Sequence, residues 1–265
     1  MNKTWLKDIE CFLFDMDGTI YLGGQLLPGA RDLVAYLREQ SIPYYFLTNN
    51  SSRSKKDYAK KLCGLRIHVS ENEIFTSGEA TAIYLQKEIK GNRVYVVGTP
   101  SLEKEFEEFG FELEKEKPDV VVLGFDTTLT YDKIWKLCDF VRDDIPYIAT
   151  HPDINCPTET GFMPDIGAMM AMIASSTGRH PDVIVGKPHK PIVDAILEKT
   201  GFEPAQLAMV GDRLYTDIAL GKAGIKTILV LSGEAKREDI PSAPVQPNLV
   251  LENVGGLLVL LKDLL

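Results

Sequence analysis

The chain is short of cysteine and short of positive charge, and both shortages narrow what it can be. Its four cysteines, Cys11, Cys63, Cys138 and Cys156, include no C-x-x-C pair. That argues against a zinc site, and their scatter suits reduced thiols in a reducing compartment. Basic residues number 29 against 38 acidic ones, a formal charge of −9. Binding to a nucleic acid polymer demands clustered Lys and Arg, so this balance argues against it. A local basic pocket for one small phosphate ester remains open. Long hydrophobic runs are also missing: Leu257–Leu261 is far too short to span a bilayer. The segment Met1–Glu10 carries charges of both signs and no apolar stretch, so it does not read as a signal peptide. The expectation is a cytoplasmic protein with no membrane partner. No Pro/Gly/Ser-rich linker, fixed-period repeat or low-complexity segment divides the sequence.

What is present is enough apolar material for a sizeable core, 45% hydrophobic against 25% charged over 265 residues, or one to two domains. Short apolar runs alternate with helical patterns nearly throughout. Cys11–Phe14, Tyr44–Leu47, Val94–Val97, Val120–Leu123, Tyr147–Ala149, Val183–Val185, Leu207–Val210 and Thr227–Leu231 read as strands. Between the first two, Ala30, Leu33, Val34 and Leu37 fall at i, i+3, i+4 and i+7, one face of a helix, with Pro28 and Gly29 before it. Ser52–Leu65 reads as the next helix. This rhythm predicts a parallel sheet covered by helices, with more strands than one small sheet needs.

Four polar segments lie at or near the ends of predicted strands, where open parallel α/β sheets bind ligands. Asp15-Met16-Asp17-Gly18-Thr19 places two carboxylates two residues apart, and such a pair repels unless a cation or proton lies between. Taken alone it also reads as an Asp-rich turn. It is not an EF-hand: counted from Asp15, Gly18 is fourth and Leu26 twelfth, where the calcium loop needs Gly sixth and Glu twelfth. Leu47-Thr48-Asn49-Asn50-Ser51 could hold an anion at a helix start, or supply Ser51 or Ser52 as a simple N-cap. Lys187 in Val185-Gly186-Lys187-Pro188 could set a positive charge on a phosphate, or sit in a surface turn. Pro181 and Pro188 stand where a Walker motif needs Gly and Ser or Thr. In Val210-Gly211-Asp212-Arg213-Leu214-Tyr215-Thr216-Asp217, helix-dipole capping accounts for Asp217, whereas Asp212 follows a buried strand directly.

In this order, D-x-D-G-T, a strand ending in Thr, a lone Lys and G-D-x-x-x-x-D, the segments resemble the haloacid dehalogenase superfamily. The stretches YLGGQLLPGA, FLTNNSSRS, THPDINCP and GDRLYTDI look like its NagD-like subclass, whose members include 4-nitrophenylphosphatases, phosphoglycolate phosphatases and pyridoxal phosphate phosphatases. The resemblance covers essentially the whole chain, and no catalytic position is substituted. It implies an α/β fold: a doubly wound, mostly parallel Rossmann-like core, residues 1–77 and 183–265, with an inserted α/β cap, residues 78–182. It implies Asp15 as nucleophile, Asp17 as general acid and then base, and Lys187 steadying the phosphoryl charge. Thr48 would bind phosphate with Asn49 and Asn50 beside it. Mg2+ would be held by Asp15, the Asp17 carbonyl and Asp212, with Asp217 behind them. The implied substrate is a small phosphorylated metabolite: a sugar phosphate, a nucleotide, phosphoglycolate, pyridoxal phosphate or 4-nitrophenyl phosphate. A phosphotransferase or mutase, and a non-catalytic phosphate-binding protein, are the alternatives on the same fold. His151 reads as a loop-structuring residue, with substrate contact second. Met169, Met170, Met172 and Ile173 read as cap core, with a homodimer interface second.

Overall fold

The structure, a computed structural model, describes residues 3–158 and 160–264. In chain order its strands begin with β1 (Cys11–Phe14), a small hairpin β2 (Tyr21–Leu22) and β3 (Gln25–Leu26), β4 (Tyr44–Thr48) and β5 (Ile74–Thr76). Next come β6 (Arg93–Val97), β7 (Glu112–Leu113), β8 (Val120–Leu123), β9 (Tyr147–Ala149), the hairpin β10 (Asn155–Thr158) and β11 (Gly161–Pro164), and β12 (Val183–Ile184). The last are β13 (Leu207–Gly211), β14 (Lys226–Val230) and β15 (Leu249–Leu251). The helices are α1 (Ala30–Glu39), α2 (Lys55–Gly64), α3 (Ser77–Glu88), α4 (Pro100–Glu108), α5 (Tyr131–Arg142), α6 (Ile166–Thr177), α7 (Lys190–Thr200) and α8 (Val254–Leu264). Among the described residues no helix is long and apolar enough to cross a membrane.

The chain forms two compact units. The first comprises residues 1–47, 58–75 and 196–265, and the second residues 48–57 and 76–195. The first unit is built on a six-stranded sheet in the order β15-β14-β13-β1-β4-β5, and the pairings of β1 with β13 and β4, and of β14 with β13 and β15, are parallel. All four residues of β1 are buried, as a continuous apolar run in a parallel strand requires. From β1 the chain moves outward through β4 to β5, then returns to the other side of β1 for β13 to β15. The order therefore reverses at β1 and β13, where sheets of this kind bind ligands. Helix α1 buries the predicted stripe Ala30, Leu33, Val34 and Leu37, with about 1.5–3 kcal/mol of stabilisation for each large side chain. It packs closely on α8: Gly29 has a φ of 80°, and a β-carbon there would strike the backbone of Gly255.

The second unit holds a five-stranded, all-parallel sheet in the order β12-β9-β8-β6-β7. One face is filled by Ile134, Leu137 and Val141 of α5 and by Ile166 and Ile173 of α6. Residues 183–184, read from sequence as the first strand after the insertion, pair with β9 and so belong to this sheet. The early segment 48–57 is stitched into the same unit. The Ser51 hydroxyl accepts from Phe125 N at 2.9 Å and lies 2.9 Å from Thr150 Oγ1, and Thr99 Oγ1 donates to the Ser52 carbonyl at 2.8 Å. Neither Ser51 nor Ser52 caps α2. The helix starts later than predicted because Ser54 and Asp57 form the reciprocal cap, Asp57 N to Ser54 Oγ at 3.3 Å and Ser54 N to Asp57 Oδ2 at 3.1 Å.

Helices α3 and α4 bury two carboxyls together, Glu79 and Glu105. Lys55 Nζ lies 3.4 Å from Glu79 Oε1. Burial, and then the charge of Glu79, push Glu105 up to about 8, against a smaller opposing pull from Lys55; Glu108 also raises it and Thr76 lowers it. The folded chain thus keeps a proton that the unfolded chain releases near 4.5. Stability from this group is present below pH 4.5 and is lost as pH rises toward 8, by an amount on the order of a few kcal/mol. Glu105→Gln removes that dependence. Its melting temperature relative to the wild type is expected to rise by roughly 5 °C or more between pH 5 and pH 9. A difference that stays constant with pH would refute the assignment.

Candidate functional site

In the first unit the ladder between β1 and β13 runs one residue past β1, with Asp15 N donating to Val210 O at 2.9 Å. The chain then turns sharply. Ile20 N and Tyr21 N donate to Met16 O, Gly18 N donates to Tyr21 O at 2.8 Å, and Gly18 has a φ of 83°. Glycine is needed there for a second reason: a β-carbon on Gly18 or on Gly233 would strike the Asp212 carboxylate. Asp212 itself follows the last residue of β13. The motifs at 15–19 and 211–217 thus meet at the reversal of the sheet.

Asp15, Asp212 and Asp217, all buried, bring carboxylate oxygens within 4.8 Å of one another. Asp217, expected to stand behind the other two, is a full member of the group. Its Oδ2 also accepts from Arg213 N at 3.1 Å, and it packs against Gly211. Asp212 Oδ2 accepts from Glu234 N at 2.7 Å, whereas its buried Oδ1 has no hydrogen-bond partner among the described residues. Burial raises Asp212 well above the usual carboxylate range, and the charges of Asp15 and then Asp217 raise it further. Three crowded carboxylates with one orphaned oxygen fit a hard divalent cation, whose charge would offset their repulsion.

The Asp17 carboxylate lies outside this trio. Its Oδ1 is 4.0 Å from Lys61 Nζ and its Oδ2 is 3.4 Å from the Tyr21 hydroxyl. Its pKa is raised, first by burial and then by Asp15, against the opposing pull of Lys61, Arg213 and Tyr21.

The second unit carries Thr48, Asn49, Asn50 and Lys187. Asn49 is a clamp: its Oδ1 accepts from Lys187 N at 2.8 Å, and its Nδ2 donates to Lys187 O and to Asp153 Oδ1, both at 3.0 Å. The amide expected to lie beside a phosphate is engaged with the backbone of the lysine it accompanies. Asn50 shapes the turn, its Oδ1 accepting from Ser52 N and Ser52 Oγ at 3.0 and 2.7 Å. Thr48 Oγ1 accepts from Asn50 N at 3.1 Å. Lys187 is buried, and a β-carbon on the preceding Gly186 would crowd Asn49 Oδ1, His151 and Thr150 O. His151 is fully buried, with Nε2 2.9 Å from Asp165 Oδ1 and Nδ1 3.2 Å from Thr150 Oγ1. Both ring nitrogens are thereby engaged in holding the loop after β9, the role read from its sequence context.

Two contributors escaped the sequence reading. Glu234 N, which holds Asp212, lies in Ser232-Gly233-Glu234, just past β14. That strand was predicted, and its position at the same sheet edge is the signal that could have drawn attention to the loop. Lys61, on α2, has no such signal, since a lysine on a helix face is ordinarily solvated.

The sequence profile of haloacid dehalogenase-like hydrolases matches residues 12–112, and a second, HAD-hydrolase-like profile matches residues 184–257. The 5'-nucleotidase YutF of Bacillus subtilis is 35% identical over 250 residues, covering 94% of this chain and 97% of that protein. The crystal structure of a 4-nitrophenylphosphatase from Thermotoga maritima superposes with a TM-score of 0.92 at 49% identity, covering 96% of this chain and 97% of the other. NagD from Escherichia coli K-12 does so with a TM-score of 0.86 at 34% identity, over 93% and 97%. With these matches running nearly end to end, the chain belongs to the haloacid dehalogenase-like hydrolases, on their NagD-like branch.

Proposed function

We propose that this protein is a magnesium-dependent phosphatase that hydrolyses small phosphate monoesters by way of a phosphorylated Asp15. The observation that carries the reading is the buried trio Asp15, Asp212 and Asp217 past β1 and β13, with its orphaned Asp212 oxygen. A phosphate monoester is doubly charged near neutral pH and would be repelled by a bare carboxylate. Mg2+ prefers hard oxygen ligands and, when bound by Asp15, the Asp17 carbonyl and Asp212, supplies the charge that cancels this repulsion. Asp217 is a third carboxylate available to it.

The chain's own residues divide the rest of the work. Asp15 attacks phosphorus, so one difficult hydrolysis becomes two easier displacements. Asp17 gives a proton to the departing oxygen and later takes one from the water that frees inorganic phosphate. Its raised pKa suits the first half, and general acid–base help of this kind is worth about 10²–10⁴-fold. Lys187 and Thr48 take the phosphoryl oxygens. Asn49 aims the Lys187 backbone rather than binding phosphate itself, and Asn50 sets the turn after Thr48. The inserted α/β cap, carried by the second unit, would select the leaving group. Four free cysteines suit a reducing cytoplasm.

Release of inorganic phosphate from a panel of esters tests the reading: nucleoside monophosphates, sugar phosphates, phosphoglycolate, pyridoxal phosphate and 4-nitrophenyl phosphate, each with Mg2+ and with a chelator. Hydrolysis of at least one ester, lost with chelator, is expected. A phosphorylated acceptor without free phosphate would make the protein a phosphotransferase, and binding without turnover would make it a phosphate-binding protein.

A further inference from the structure

The Asp17 carboxylate is flanked at its two oxygens by two residues that form a pair of their own. Lys61 Nζ lies 3.6 Å from the centre of the Tyr21 ring and 4.0 Å from Asp17 Oδ1, while the hydroxyl of that same ring lies 3.4 Å from Asp17 Oδ2. The three groups close a triangle: cation on ring face, cation beside one carboxylate oxygen, phenol beside the other. Each corner is anchored. Tyr21 is fully buried and its backbone bridges to Asp17. Lys61 stands in the last turn of α2, and its neighbours Tyr58 and Leu62 are buried in the core of the first unit. A cation over an aromatic face is attracted by the ring quadrupole, so Tyr21 fixes where the ammonium sits.

An aspartate carboxyl rotates freely unless something holds it, because its terminal torsion is broad. A proton donor must lie within hydrogen-bond reach of the oxygen it serves, and a misplacement of about 1 Å can lower the rate by as much as 10²-fold. We propose that Lys61, with Tyr21, is a positioning residue that fixes the orientation of the Asp17 carboxyl for proton transfer to the leaving oxygen. This rests on the phosphatase reading and on Asp17 as its acid. The action is on geometry: Lys61 sits beside Asp17 as its ion-pair partner, and Asp17 moves the proton.

The leaving group supplies the test. The phenolate of 4-nitrophenyl phosphate departs with little need of a proton, whereas the alkoxide of glycerol phosphate needs one. The measurement is kcat/KM for both esters, since it reports the step in which the alcohol leaves, in wild type, Lys61→Met, Lys61→Arg and Tyr21→Phe, with melting temperatures alongside. In Lys61→Met, kcat/KM for glycerol phosphate is expected to fall at least about 10-fold further than for 4-nitrophenyl phosphate. Lys61→Arg should recover part of that gap, and Tyr21→Phe, which keeps the ring and loses the hydroxyl, should show a smaller gap of the same sign. Equal losses on both esters would mean that Lys61 contacts the phosphate or merely supports the fold, and no loss on either would mean that the triangle is incidental. Each result overturns the proposal. Wild-type turnover and its disappearance in Asp15→Asn judge the phosphatase reading separately, so the two can fail independently.

Discussion

Asp15→Asn is expected to abolish turnover, by at least roughly 10⁴-fold, and at the same time to stabilise the metal-free protein. The two effects have one origin. Asn keeps the shape of the side chain and its place past β1, so the turn at 16–21 is undisturbed. What disappears is the negative oxygen that would attack phosphorus, and an amide cannot replace it as nucleophile. The same charge is one of three forced together in a buried trio, and after burial it does most to raise the Asp212 pKa. Removing it relieves repulsion that only a cation or a proton otherwise relieves. In chelator at neutral pH the variant should therefore melt a few degrees above the wild type. Steady-state kinetics and thermal melts on one preparation check both halves. Activity within tenfold of wild type would remove Asp15 from its role, and a lower melting temperature in chelator would contradict the electrostatic account.

The second large effect concerns Asp212. In the metal-free protein its carboxyl holds a proton well above the ordinary value of 3.8. Between that value and the raised one, the folded state binds more protons than the unfolded state, so stability falls as pH rises through this window and levels off above it. A divalent cation needs the ionised carboxylate and takes the proton's place. Stabilisation by Mg2+ should consequently grow with pH, small near pH 5 and larger near pH 8. Asp212→Asn should flatten the pH dependence seen in chelator, weaken the stabilisation by Mg2+ and lower kcat/KM by on the order of 10²–10³-fold. Melting curves across pH, with Mg2+ and with chelator, decide it. Equal Mg2+ stabilisation at pH 5 and pH 8, or undiminished stabilisation in Asp212→Asn, would exclude Asp212 as a ligand.

The sequence made the elements with strong patterns visible. β1 and β13 are continuous apolar runs, β14 is apolar after its first two residues, and the stripe on α1 has a clear helical period, so their class and order could be read directly. The two-residue strands β2, β3 and β7 are too short to show any period, and they exist because neighbouring backbone pairs with them. That is also why residues 183–184 changed sheets: partner choice is a long-range matter that a local apolar run does not encode. At the site, Asp15 and Asp212 were legible because each follows a buried strand. The division of labour between Asn49 and Lys187 was not, since residues 138 positions apart reveal a shared hydrogen bond only when folded. Lys61 was hidden for the same reason.

The stitching of residues 48–57 into the second unit bears on how this architecture could be dissected or recombined. A fragment of the continuous stretch 76–195 alone would leave behind Ser51 and Asn49. Phe125 N, Thr150 Oγ1 and the Lys187 peptide would each lose a hydrogen-bond partner supplied by the missing strip. Expressed alone, such a fragment should be poorly soluble, and grafted onto a foreign host it should sit badly unless the host brings a matching segment. The transplantable module is therefore discontinuous in the gene. Recombination that exchanges this unit between relatives has to carry two stretches of coding sequence together, or conserve the shorter one on both sides.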